Sequence, residues 1–256
     1  MSTTRKTSLT ARSVLASVLL GTDPPWLPTA RLVRTAELFG ITEGTTRTAL
    51  SRMVAAGEAA ADDGGYRLIG RLAARQDRQS ASRRAETRPW DGTWELVVVE
   101  GGAGRPADAR AALRDALRQL RFGELREGAW VRPANLEPGR SPEAAELVGR
   151  WCQRWTGARP SHEVDVEELF GLADWHDVAE ELRSEMAALQ PSLDGGDARA
   201  LAAGFVTSAA VLRHLQADPL LPIELLPEGW PGDALRHEYD GYDAAYRTVL
   251  IDWLSS

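Results

Sequence analysis

The sequence of 256 residues has one cysteine and four histidines. A single cysteine excludes an intramolecular disulfide and a cysteine-based metal cluster, and it is typical of a protein of the reducing cytoplasm. The histidines, at positions 162, 176, 214 and 237, do not have the spacing of metal ligands on one helix. We therefore expect a cytoplasmic protein with no metal site and no cofactor.

Long apolar runs are also missing, which argues against a membrane span. Residues 14–20 follow Arg5 and Lys6 in the order of a signal peptide, but the run is short and no small-residue cleavage site follows it. A buried stripe on a first helix over residues 10–20 fits this run better. Neither a Gly-x-Ser-x-Gly motif nor a Walker loop occurs, so we expect no catalytic residues.

The net charge of −7 is unevenly spread along the chain. Up to Trp90 there are 14 Lys and Arg against 8 Asp and Glu, and the remainder has 16 against 29. A basic N-terminal part and an acidic remainder favour binding of nucleic acid by the N-terminal part alone.

Residues 28–69 have the pattern of a helix, a tight turn, a second helix and a β-hairpin. The turn Gly40–Thr42 has the length and the glycine that a helix-turn-helix needs, and Thr42 can cap the second helix. Gly57 ends that helix, and Asp62–Gly65 is a hairpin signal. Residues 1–70 are therefore predicted to be a winged helix-turn-helix domain that binds DNA.

The second of these helices has one apolar and one polar face. Ala49, Leu50, Met53 and Val54 form the stripe that should face the core. Small residues and arginines on the opposite face suit close approach to the major groove and contacts to guanine or phosphate. An ordinary solvated helix face is the alternative. The candidate DNA-binding residues are Thr45, Arg47, Thr48, Ser51 and Arg52 on this helix, with Arg67 in the hairpin.

Residues 71–92 have few large apolar side chains and several arginines, which predicts a basic linker. These arginines either lie in solvent or follow DNA phosphates, where they would add salt-dependent affinity without specificity. They are Arg71, Arg75, Arg78, Arg83, Arg84 and Arg88.

Residues 93–168 are predicted to alternate strands and helices in the order β-α-β-β-α-β. That order is typical of a ferredoxin-like fold. The predicted elements lie at 94–99, 106–121, 122–125, 129–132, 142–155 and 162–169.

Residues 169–256 are predicted to be a helical domain, with helices before Pro191, at 197–216 and at 239–254. Residues 218–232 contain four prolines interleaved with leucines, so they cannot form a helix interior, yet the leucines need burial. We call this segment the proline belt and expect it to wrap on the helical domain. The predicted fold class is α+β.

Most of the nine tryptophans are expected in the core or in interfaces. Trp151 and Trp155 are predicted to lie on one helix. Trp175 and Trp230 are the two candidates for a ligand site.

Four segments occur in the order found in one known family: 37–57, 90–94, 122–133 and 214–231. Over residues 13–242 they resemble the PaaX-type transcriptional repressors of phenylacetate catabolism and their actinobacterial relatives. The resemblance implies a winged helix, a middle domain similar to the ferredoxin-like fold of Cas2 nucleases, and a helical C-terminal domain. It further implies a homodimer on a palindromic DNA operator, released by an acyl-CoA such as phenylacetyl-CoA or by an aromatic acid.

The chain departs from this family in the wing and at the start of the second helix. Asp62 and Asp63 make the wing acidic where relatives tend to be basic, and residues 43–45 are particular to this sequence. A protein-interaction regulator that has lost DNA binding is therefore one alternative. A Cas2-like metal-dependent nuclease is another, but Glu100 has no obvious second carboxylate to share a metal.

Overall fold

The computed structural model describes residues 10–22, 26–70, 72–73, 82–101 and 106–255. The chain forms two compact units. The first unit contains Met1–Ser80, Leu182–Leu212 and His237–Ser256, and the second contains Ala81–Glu181 and Arg213–Arg236.

The N-terminal part of the first unit has the predicted winged helix-turn-helix arrangement. Its elements are α1 (Ala11–Leu20), β1 (Trp26–Pro28), α2 (Thr29–Glu37), α3 (Glu43–Ala55), β2 (Ala59–Asp62) and β3 (Gly65–Leu68). The strands form an antiparallel sheet with β3 between β1 and β2. Strand β1 was not predicted, because three residues after two prolines carry no readable alternation.

Local signals set the ends of these helices. Thr10 caps α1 by accepting a hydrogen bond from the amide of Ser13, and Thr42 caps α3 by accepting one from the amide of Thr45. Leu50 and Met53 of α3 are buried as predicted. Val54 was expected in the same stripe but is 39% exposed, because it lies at the edge of the packed face.

The second unit contains the predicted β-α-β-β-α-β order. Its elements are β4 (Trp94–Val99), α4 (Ala107–Gln119), β5 (Gly123–Arg126), β6 (Ala129–Pro133), α5 (Pro142–Trp151) and β7 (Cys152–Ala158). The strands form one antiparallel sheet in the order β5-β6-β4-β7. Val97, Trp130, Leu113 and Leu117 join the buried core between sheet and helices.

The predicted last strand at 162–169 was wrong, because β7 begins directly after α5. Trp155 therefore lies on a strand and not on a helix with Trp151. The four-residue spacing of these tryptophans matches the periodicity of a helix. An edge strand whose residues are mostly exposed has no strong apolar alternation to contradict that reading.

The remaining chain is mainly helical. Its α-helices are α6 (Val166–Phe170), α7 (Leu172–Asp194), α8 (Leu201–Leu215) and α9 (Gly232–Ser255). Pro191 lies inside the last turn of α7, so the predicted end at Pro191 was three residues early. Of the helices that the structure describes, none is both long and apolar enough to cross a membrane.

The proline belt contains one short 3-10 helix, at Ile223–Leu225. Leu220 and Leu221 are buried, whereas Ile223 is 82% exposed. The Leu220 carbonyl accepts a hydrogen bond at 2.8 Å from the side chain of Asn135, which follows β6. The belt thus contacts the sheet domain, a partner that the sequence pattern did not indicate.

Part of the predicted basic linker packs on the second unit. Ser82 is buried, Thr87 forms a β-bridge with Leu136, and the Arg88 Nε donates to the Ala134 carbonyl at 3.1 Å. Arg71, Arg75 and Arg78 lie outside the described residues.

Candidate nucleic-acid interface

Helix α3 is held in the first unit by its apolar face. Thr46, Leu50 and Met53 are buried, and the Thr46 hydroxyl donates back to the Thr42 carbonyl at 3.1 Å. The opposite face is left in solvent. All six predicted residues are exposed, five of them on α3 and the sixth on β3: Thr45, Arg47, Thr48, Ser51, Arg52 and Arg67.

The two arginines of α3 differ in their partners. The Arg47 Nε donates to the Glu43 carboxylate at 2.8 Å, one helical turn earlier. Among the residues that the structure describes, none forms a hydrogen bond or an ion pair with the Arg52 guanidinium. Arg52 is therefore the α3 side chain that can contact an external acceptor without first losing a partner.

Two hydroxyl groups of α3 already donate a hydrogen bond to a backbone carbonyl. Thr48 donates its proton to the Gly44 carbonyl at 2.8 Å, and Ser51 donates its proton to the Arg47 carbonyl at 3.0 Å. Each hydroxyl has only one proton, so the free lone pairs face outward as acceptors. Toward DNA these groups can accept from the exocyclic amines of adenine or cytosine, and Arg52 can donate to guanine.

A groove brings together three of the six candidates: Thr45, Thr48 and Arg52. Arg12 of α1 lines the same groove and pairs with Glu58, its Nε lying 2.8 Å from the carboxylate. This hydrogen bond raises the pKa of Arg12 and lowers that of Glu58. Sequence reasoning missed Arg12, because its position depends on how α1 packs against α3.

The wing is a tight hairpin with an acidic tip. Asp63 and Gly64 have φ of 42° and 77°, the positive values of a two-residue type I′ turn. A Cβ on Gly65 would lie 2.7 Å from the Trp26 ring, so this close strand contact requires glycine. The Arg67 Nε lies 3.4 Å from the Asp62 carboxylate, so the charge of Arg67 is partly neutralised before any contact with DNA.

The C-terminal helices of the first unit contact α2. The Arg34 guanidinium lies 4.7 Å from the ring centre of Trp253 on α9. Phe39, just after α2, packs edge-to-face on Phe205 of α8 at 5.0 Å. The helix-turn-helix is therefore in contact with helices from the C-terminal part of the chain.

Trp175 and Trp230, the predicted candidates for a ligand site, stack on each other at 4.5 Å. His214 stacks on Trp175 at 4.3 Å, and its Nε2 lies 2.9 Å from the Trp175 carbonyl. The Trp175 ring is therefore in stacking contact with two other rings. Within the described ranges, no group of three or more His, Cys, Asp or Glu residues could hold a metal ion.

Three family models match successive parts of the chain: PaaX-like protein at residues 10–75, PaaX protein central Cas2-like domain at 87–150, and PaaX-like protein C-terminal domain at 171–251. The chain belongs to the PaaX family. PaaX proteins are generally transcriptional regulators. The match to the central Cas2-like domain runs from before β4 to near the end of α5, and β7 follows it.

A solved structure extends this match over nearly the whole chain. It is the uncharacterized protein Rv0674 from Mycobacterium tuberculosis, at 40% sequence identity and a TM-score of 0.73. The match covers 97% of this chain and 100% of that protein. No curated protein matches the sequence.

Proposed function

We propose that this PaaX-family chain is a cytoplasmic transcriptional repressor that binds a specific DNA operator and controls a catabolic or metabolic operon. The observation that carries the proposal is the exposed face of α3. It combines the unpaired Arg52 with the outward acceptors of Thr48 and Ser51, on a helix whose other face is buried.

Helix α3 is the element that enters the major groove in this proposal. Arg52 donates to a guanine edge or to a phosphate, and Thr48 and Ser51 accept from base amines. Arg47 contacts a phosphate after exchanging its Glu43 partner. Arg12, at the other side of the groove, adds a third cation near the same backbone.

The active form is a homodimer on a palindromic operator. One helix reads too few base pairs for useful specificity, so two copies are needed and their half-sites are inverted, about one helical turn or a multiple apart. The second unit offers a surface for such contact, because β7 is an edge strand and Trp155 on it is 44% exposed. Trp151, just before β7, is 37% exposed.

Release from DNA is controlled by a small acidic ligand, an acyl-CoA or an aromatic acid. The ligand class comes from the resemblance to repressors that respond to phenylacetyl-CoA. The contacts of α8 and α9 with α2 supply a physical connection between the C-terminal half and the helix-turn-helix. A hundredfold loss of operator affinity requires about 2.7 kcal/mol of coupling between the two ligands.

The test starts with selection of bound fragments from the source genome by the purified protein. Operator titrations at several salt concentrations then compare the parent with Arg47→Ala and Arg52→Ala. We expect Arg52→Ala to weaken binding by about 1–3 kcal/mol, and Arg47→Ala to lower the salt slope by about one. Arg114→Ala, an exposed arginine of α4, is the matched control.

Identical operator binding by both α3 variants and the parent would overturn the assignment of α3. Sedimentation measurements on the same samples test the dimer, and a monomer both free and on DNA would contradict it.

A protein-interaction regulator is the second candidate, and the acidic wing favours it. Asp62 and Asp63 stand at the wing tip, and Asp62 already neutralises part of the charge of Arg67. A selection that enriches no fragment while the protein remains folded and dimeric would favour this alternative.

A further inference from the structure

The second unit contains a cavity of about 480 Å³ beside the end of α4. This volume is within the range of sites for small organic ligands. Its walls are mainly apolar and include three aromatic rings. The larger apolar wall residues are Phe122, Trp130, Leu169, Phe170 and Pro219.

One cation in this cavity has no partner. Arg121 lines the cavity and is half-buried, and its Nε is inaccessible to solvent. No described residue accepts a hydrogen bond from that nitrogen, and no ion pair reaches its guanidinium. Buried polar groups in proteins are nearly always hydrogen-bonded, so a buried Nε without a partner, on a side chain that lines a cavity, indicates a missing acceptor.

The backbone conformation of Arg121 is also unfavourable. Arg121 follows α4 with φ of 65°, its amide donating to the Arg118 carbonyl at 2.9 Å and the next amide donating to the Leu117 carbonyl at 3.0 Å. These two bonds are the Schellman motif, whose left-handed position is usually glycine. An arginine here is strained, and its guanidinium forms no hydrogen bond or ion pair with another described residue that would offset the strain.

The charges around the cavity favour an anion. Burial and the nearby guanidinium of Arg140 lower the pKa of Arg121 to about 10, although the carboxylate of Asp218 opposes that shift, so Arg121 stays protonated near neutral pH. Arg236 also lies nearby and already binds Asp218 at 2.6 Å. Among the described residues that line the cavity, Glu124 alone carries a carboxylate, and its side chain is exposed.

We propose that this cavity binds an organic acid with an aromatic or similar apolar group, and that Arg121 holds the acid group. The planar guanidinium matches a carboxylate or a phosphate by two parallel hydrogen bonds, and the aromatic walls pack against the apolar part. Binding itself does not depend on the proposed function. The further consequence, that this ligand is the effector, rests on it.

Calorimetry with the full chain and no DNA tests the cavity. The probes are phenylacetate, phenyl phosphate, inorganic phosphate and the neutral phenylacetamide. We expect at least one aromatic anion to bind, phenylacetamide not to bind, and the preferred anion to distinguish a carboxylate site from a phosphate site.

Arg121→Gly separates a binding role from a structural one. Glycine relieves the left-handed backbone and removes the unpaired cation, so we expect the variant to melt at the parent's temperature or above it. Affinity for the aromatic anion should fall at least tenfold. Arg114→Ala, on α4 but not in the cavity wall, should bind like the parent.

The proposal is wrong if neither aromatic anion binds the parent, or if Arg121→Gly binds it equally well. Binding that is lost in Arg121→Gly supports the site whatever happens on DNA. An operator titration with the bound anion then decides separately whether the ligand is an effector.

Discussion

Arg47 and Glu43 form an exposed ion pair on α3, with the Arg47 Nε 2.8 Å from the Glu43 carboxylate. Glu43 is the first residue of the helix, where a negative charge also favours the helix dipole. A DNA phosphate must therefore replace Glu43 before it can bind Arg47. Exposed pairs of this kind are weak, so the exchange costs little.

Glu43→Gln should strengthen DNA binding at low salt by a few fold. The change frees Arg47 and removes a negative charge from the face that approaches the phosphates, while the helix loses about 0.3–1 kcal/mol of dipole stabilisation. Fluorescence anisotropy with a labelled operator measures the effect. Glu37→Gln, exposed on α2, is the control, and an equal gain in an Arg47→Ala background would refute the role of the pair.

Two helix glycines should respond to alanine with opposite signs. A Cβ on Gly204 of α8 would lie 2.9 Å from the Tyr246 ring, whereas one on Gly241 of α9 meets nothing within 4 Å. We expect Gly204→Ala to lower the free energy of unfolding by about 1–3 kcal/mol through overpacking. Gly241→Ala should raise it by about 0.5–1 kcal/mol through helix propensity.

Urea denaturation of both glycine variants tests this pair of predictions. Equal midpoint shifts in the same direction would show that the contact of Gly204 with Tyr246 does not limit packing in the first unit.

Glu95→Gln should destabilise the second unit strongly. Glu95 is buried on β4 and accepts hydrogen bonds from Arg132 on β6 at 3.0–3.1 Å, and Arg132 is buried too. Removing one charge leaves Arg132 uncompensated, which costs about 3–5 kcal/mol. Glu146→Gln, which breaks an exposed pair with Arg150, should cost less than about 0.5 kcal/mol. Thermal and urea denaturation compare them, and similar losses would contradict the argument.

His214 should make the fold sensitive to mild acid. Burial lowers its pKa below the ordinary value, although the Trp175 carbonyl and Asp218 oppose that shift. The unfolded chain therefore takes up the proton first, so this contribution to stability is complete above pH of about 6.5 and is lost as the pH falls toward the folded pKa. Nuclear magnetic resonance of the histidine rings, with unfolding measured between pH 5 and 8, checks the direction.

A matched variant assigns that acid sensitivity to His214. His214→Gln should flatten the pH profile of stability in this window, whereas His162→Gln, at an exposed site, should leave it unchanged. A profile that is equally steep in His214→Gln would assign the effect to other groups.

Several features of this protein could be predicted from sequence because their causes are local. The turn Gly40–Thr42 and the cap by Thr42 set the two helices of the helix-turn-helix. The hairpin at Asp62–Gly65 follows from residues that tolerate positive φ at its tip. The exposed face of α3 follows from 3.6-residue periodicity, and the five candidate residues on that helix are exposed.

Other features were decided only by tertiary structure. The β7 strand is recognisable by its pairing with β4, and not by its own alternation. Arg12 reaches the α3 groove through helix packing, and Glu58, 46 residues away, determines its ionic partner. The cavity at Arg121 needs α4, Leu169 and Pro219 to meet. These contacts join residues far apart in the chain, so no local pattern of charge or hydrophobicity could predict them.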